Sequence, residues 1–136
     1  MPRHSNDSKF CVLCSKKTDQ VSGVLSFLFA QIRDEFPDCH MSWGYRDEKQ
    51  QQEQLEKGYT QVRFPGSKHN RVPAEAMDLF QLKDGKAVFD KEYYEKVAKF
   101  VYTKTKNVKW GGSFKKPDFP HFELSFNHKE EKSDES

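Results

Sequence analysis

Ala76-Met77-Asp78-Leu79-Phe80-Gln81-Leu82, followed by Asp84-Gly85 and then Ala87-Val88-Phe89, is the stretch that decides the fold class. The first run is apolar and of strand length. Asp84-Gly85 is a hairpin signal, because a two-residue turn of type I′ needs positive φ at both central positions, which Asp tolerates and Gly accepts freely. Two strands joined this tightly pair antiparallel.

Outward from this hairpin the chain alternates helices and short strands. Asp90 can cap a helix with Tyr94, Val97, Ala98 and Val101 inward. Val108 to Trp110 reads as a short strand before Gly111-Gly112, and a last strand runs from about His121 to Phe126. Upstream, Val21, Val24, Leu25, Leu28, Phe29, Ile32 and Phe36 recur at helical spacing, which predicts an amphipathic helix over Asp19 to Glu35, ended near Pro37. Cys39, Met41, Trp43 and Tyr45 alternate with His40, Ser42 and Gly44, the period of a half-buried strand. Asp47 can cap a polar helix over Glu48 to Lys57 that stops at Gly58, and Tyr59 to Arg71 reads as a loop. The expectation is an α+β single domain, a small antiparallel sheet flanked by helices, over residues 19–126. A polar lead-in (1–18) precedes it and a charged tail (127–136) follows.

Composition narrows the function classes. A chain of 136 residues has room for one compact domain, and 14% aromatic content, with twelve Phe, is enough apolar surface to offset chain entropy. The net charge of +2 gives no basic field for nucleic acid, and no apolar run approaches the roughly 18–20 residues of a membrane span. Neither nucleic-acid binding nor membrane insertion is expected, and the domain reads as a monomer. Met1 to Asp7 has no apolar segment of the secretory kind, so the chain is expected to be made in the cytoplasm without a signal peptide. Three cysteines fit reduced thiols better than a disulfide framework.

The chemistry concentrates in two places. His69 lies in Ser67-Lys68-His69-Asn70, nine residues before Asp78, an acid set between Met77 and Leu79 where burial is costly without a partner cation. His121 opens an apolar strand in Asp118-Phe119-Pro120-His121-Phe122-Glu123-Leu124. Two imidazoles and one carboxylate are the ligand set of a catalytic zinc that keeps a position open for water, and Asp118 is placed to be a base beside it. Read from the residues alone, the alternative is that both histidines are ordinary polar residues and Asp78 caps a turn.

These segments together resemble a family. Ser67-Lys68-His69 to Ala76-Met77-Asp78, then Trp110-Gly111-Gly112, then Asp118-x-x-His121-Phe122-Glu123-Leu124, preceded by Gly44-Tyr45-Arg46 with Gln50 and Gly58, are similar to the peptidoglycan-cleaving zinc peptidases. That family includes D-alanyl-D-alanine carboxypeptidases and phage L-alanyl-D-glutamate peptidases, and the resemblance runs from about Phe27 to Leu124. It implies the Hedgehog/D-Ala-D-Ala-peptidase-like fold, one zinc ion on His69, Asp78 and His121, Asp118 as catalytic carboxylate and Arg46 at the scissile carbonyl. Ser67, Gln50 and Glu123 would support the ligands or the substrate. Two features depart from the common pattern: eight residues separate His69 from Asp78, with Pro73-Ala74 in an enlarged loop and no glycine, and Phe114 stands where many members have tryptophan.

The resemblance implies a metallopeptidase acting on the stem peptide of bacterial peptidoglycan, of the phage endolysin type, reaching the wall after release or as a virion component. A D-alanyl-D-alanine carboxypeptidase is the alternative within the same chemistry. It would need a cation for the terminal carboxylate, for which Arg63, Lys68 and Arg71 are candidates. From another class, a zinc-containing module that only binds a wall or a protein partner is the competing reading, and the full set of ligands with Asp118 and Arg46 favours the enzyme. Cys11-x-x-Cys14, with His4 before it and Cys39-His40 after it, carries the residue types of a structural zinc or redox site but lacks a matching second half.

Overall fold

The computed structural model describes residues 16–125. The fold is α+β: helix α1 (Gly23–Glu35), strand β1 (Cys39–Trp43), helix α2 (Glu48–Glu56), strands β2 (Ala76–Lys83) and β3 (Lys86–Val88), helix α3 (Lys91–Lys104), and strands β4 (Val108–Trp110) and β5 (His121–Leu124). Two single-turn 3₁₀ helices, Lys68–Asn70 and Gly111–Ser113, stand before β2 and after β4.

Local chemistry sets most boundaries. The Asp47 carboxylate accepts the Gln50 N–H while the Gln50 side chain accepts the Asp47 N–H, a reciprocal cap that starts α2. Asp90 caps α3 through the Glu92 N–H. Asp84 and Gly85 both take positive φ, 52° and 78°, and form the β2–β3 hairpin. The first helix begins four residues later than its periodicity predicts. Ser22 is its N-cap, and Val21 instead bridges in parallel to Ala74. The loop expected over Tyr59 to Arg71 contains the 3₁₀ turn Lys68–Asn70, which Ser67 caps. The last strand ends at Leu124, and the expected Phe126 end lies outside the described residues.

The sheet order is β1-β2-β5-β4 with every neighbour antiparallel, and β3 pairs with the far part of β2. One face carries the core. Cys39, Met41, Met77, Leu79, Phe122 and Leu124 pack there with Leu25, Leu28, Phe29 and Ile32 of α1 and Tyr94, Val97 and Val101 of α3. Successive strand side chains alternate faces, so Asp78, His121 and Glu123 are left on the other face. One expectation fails here. The strand period of the sequence puts Trp43 inward with Cys39 and Met41, but the register shifts between Met41 and Trp43, so that Trp43 pairs with Asp78. This β-bulge turns the indole onto the Asp78 side of the sheet.

Candidate metal centre

Asp78 and His121 are cross-strand partners on β2 and β5, so the register alone puts them side by side. The core partners Met77 and Phe122 occupy the next pair on the opposite face. His69 comes from the 3₁₀ turn, whose Ser67 hydroxyl accepts the His69 N–H at 3.1 Å. Asp78 Oδ1 lies 3.2 Å from His69 Nε2 and 3.1 Å from His121 Nδ1. Both histidines are 1% exposed, so neither is a solvated surface imidazole.

The donor set fits a divalent cation. One ligand atom from each of His69, Asp78 and His121 lies within 4.8 Å of the other two. The remaining ring nitrogen of each histidine is already held: His69 Nδ1 by the Gly44 carbonyl at 2.8 Å, and His121 Nε2 by Glu123 Oε1 at 2.8 Å. Such contacts fix ring orientation and aim the other nitrogen at a common point. Glu123 also pairs with Lys68 at 3.2 Å, while Lys68 Nζ donates to the Leu124 carbonyl.

Protonation follows from these contacts. Burial lowers the His69 pKa, favouring the neutral imidazole that a metal requires. Burial also works against the His121 charge, but its hydrogen bonds to Asp78 and Glu123 outweigh this and raise its pKa to about 10. Asp78 is pushed up by burial and pulled further down by His69 and His121, ending well below the usual carboxylate range. Without a cation, the cluster therefore holds a proton in the middle of two carboxylates.

Arg46 is buried. Its Nη2 donates to Asp78 Oδ2 at 3.4 Å and its Nη1 to Gln51 Oε1 at 3.1 Å, and its guanidinium lies over the Trp43 ring at 4.7 Å. Burial pulls its pKa down against Asp78 and Asp118, yet a guanidinium keeps its proton at any pH a folded protein meets. Arg46 Nε is buried with no hydrogen-bond partner among the described residues. That leaves one donor of a fixed cation uncommitted beside the ligand cluster.

Asp118 lines the same cleft of about 500 Å³ as Arg46, His69, Asp78 and His121. Burial and the neighbouring Asp78 raise its pKa to about 6. Its position depends on Gly111. Asp118 N–H donates to the Gly111 carbonyl at 2.9 Å, and the His121 N–H to the Asp118 carbonyl at 3.2 Å. A Cβ at residue 111 would collide with the Asp118 carbonyl and come within 2.9 Å of His121 Cβ. Phe114 packs its ring 5.6 Å from that of His121.

Gln50 stands apart from this group, because its side chain is spent on the α2 cap. The glutamine that serves the site is Gln51, fully buried, which accepts from Arg46 and from Asn70 Nδ2 and donates to the Val62 carbonyl. Asn70 in turn donates to the Arg46 carbonyl and accepts the Ser67 N–H, tying Arg46 to the turn that carries His69. Sequence reasoning missed Gln51, Asn70 and Trp43. A buried glutamine amid the polar residues of α2 has no periodicity to mark it. Cys39 is buried in the core, whereas His4, Cys11 and Cys14 lie outside the described residues.

The chain is similar in fold to the crystal structure of an L-Ala D-Glu endopeptidase from Serratia marcescens, ChiX. The TM-score is 0.69 and the identity 24%, over 83% of this chain and 86% of that one. No protein-family model and no curated protein sequence matches the chain.

Proposed function

We propose that residues 19–126 form a zinc peptidase of the bacterial cell wall, an L-alanyl-D-glutamate endopeptidase of the phage endolysin type acting on the peptidoglycan stem peptide with one zinc ion. The observation that carries this reading is the convergence of His69, Asp78 and His121 in a cleft that also holds Asp118 and Arg46. The fold shared with an L-Ala D-Glu endopeptidase supports the substrate class.

When bound, the cation supplies Lewis acidity that polarises a peptide carbonyl and acidifies water. Asp118, with its pKa raised towards neutrality, accepts the proton of the attacking water and returns it to the leaving amine. Arg46, held by Asp78, Gln51 and Trp43, sets its guanidinium charge beside the substrate oxygen as negative charge gathers there. Because its partners already fix it, little reorganisation accompanies the reaction.

An endopeptidase is favoured over a carboxypeptidase by the cations. Arg46 lines the cleft, whereas Arg63, Lys68 and Arg71 do not. Lys68 is committed to Glu123 and Arg71 to Glu75. A terminal carboxylate therefore meets no spare positive group among these candidates.

The test incubates zinc-loaded and chelated protein with purified peptidoglycan and identifies new termini by mass spectrometry. New L-Ala carboxyl and D-Glu amino ends are expected with zinc alone. Released D-Ala would make it a carboxypeptidase, and zinc binding without any product would sink the enzyme reading.

A further inference from the structure

Tyr59 and Phe89 are 70% and 65% exposed, and both line the cleft that contains Asp78, His121 and Asp118. They come from separate loops, Tyr59 just after α2 and Phe89 between β3 and α3. Other large apolar side chains are exposed away from the cleft, such as Phe27 and Val72, as on any protein surface. What sets Tyr59 and Phe89 apart is that both are aromatic and both border the candidate catalytic groups.

A ring left in water at a binding cleft gains most from a ligand that offers a flat apolar surface. The stem peptide has little of this, its residues being alanines, a glutamate and a diamino acid. The glycan strand has it: one face of a pyranose presents C–H groups that pack on an aromatic ring while the hydroxyls stay in water. Under the peptidase reading of the previous section, on which this inference rests, the scissile bond follows L-Ala, and L-Ala is joined directly to the lactyl group of the amino sugar. One extended residue spans only about 3.5 Å, so the sugar stays close to the cleft during the cut. We propose that Tyr59 and Phe89 form a sugar-binding rim, which makes the glycan-linked stem the preferred substrate over the free peptide.

The test compares a disaccharide-tetrapeptide with the free tetrapeptide of the same sequence, using the zinc-loaded protein. The readout is the ratio of kcat/KM for the two substrates, in wild type, Tyr59→Ser, Phe89→Ser and the ring-keeping Tyr59→Phe and Phe89→Tyr. Wild type should favour the disaccharide-tetrapeptide about tenfold, the worth of one good ring contact, through KM. A serine variant should lose most of that preference, and the ring-keeping variants should retain it. Loss confined to one serine variant overturns the two-ring rim. No preference in wild type, or a serine effect equal on both substrates, overturns the rim.

Calorimetric binding of the same two compounds to the chelated protein separates this from the peptidase reading. If neither compound is cleaved, the peptidase reading falls. The rim then stands if the disaccharide-tetrapeptide binds more tightly and the serine variants abolish the difference, and falls if the two bind alike.

Discussion

Arg46 meets Asp78 through Nη2 and Oδ2 at 3.4 Å, on the one carboxylate oxygen that His69 and His121 leave open. Asp78 thus joins the two halves of the site. Its Oδ1 faces the histidines and its Oδ2 anchors the Arg46 guanidinium.

Asp78→Asn should lower zinc affinity by at least about 100-fold, since it removes the only anionic ligand of the set. Competition against a chromogenic chelator reads this directly. In the wild type, chelation should lower Tm, because a cation present at 100 times its Kd stabilises by about 2.7 kcal/mol. In Asp78→Asn, chelation should leave Tm nearly unmoved. Equal zinc affinity in the two proteins would remove Asp78 from the ligand set.

Asp118→Asn should cut kcat by about 10²–10⁴-fold while zinc stays bound. The wild-type rate needs the ionised carboxylate, so it should climb as pH rises through the Asp118 pKa. That pKa is about 6 without a cation, and a bound cation draws it lower. The acid limb of the pH profile therefore belongs at or below about 6, and the residual rate of Asp118→Asn should lack it. Zinc loss in this variant would make Asp118 a ligand and not a base.

Zinc binding at pH 7 should release a proton from His121, whose pKa in the metal-free protein is about 10. Calorimetry in buffers of different ionisation enthalpy counts that proton, and affinity should rise about tenfold per pH unit between about 7 and 9. The same raised pKa stabilises the metal-free fold fully below the ordinary histidine value of 6.5. That contribution fades as pH climbs towards 10. Glu123→Gln, which removes the charged acceptor on His121 Nε2, should weaken zinc by about 10–100-fold.

Gln51→Leu should lower stability by about 1–3 kcal/mol, because Arg46 Nη1 and Asn70 Nδ2 both lose an acceptor in a buried place. Its effect on kcat should exceed its effect on zinc affinity, since Arg46 loses a clamp while the three ligands keep theirs. A calorimetric melt alongside zinc titration and kinetics checks all three. Zinc affinity falling as far as kcat would mean that the glutamine supports the ligands instead.

Much of this was legible locally. The hairpin at Asp84-Gly85, the caps at Asp47 and Asp90 and the helical stripe of α1 depend on neighbours within a few residues. Asp78 between Met77 and Leu79 also announced itself, because strand alternation makes an acid in an apolar run face away from the core. The limits were equally physical. Gln50 and Gln51 look alike in sequence, and their roles separate only because α2 turns one towards its own cap and the other towards Arg46. Trp43 kept the core period until a single extra residue in β1 reversed its face.

The amino-acid order by itself determined which elements form and which residue types could hold a metal, since periodicity, capping and turn chemistry are short-range. The sequence pattern already named His69, Asp78 and His121 together, with Glu123 in support; only the tertiary structure decided how closely they meet, that Gly44 and Glu123 each hold one ring nitrogen, and that Arg46 is buried against Asp78. Those contacts depend on the β2–β5 register and on where the loop before β2 returns, and both are set by packing between segments distant in the chain.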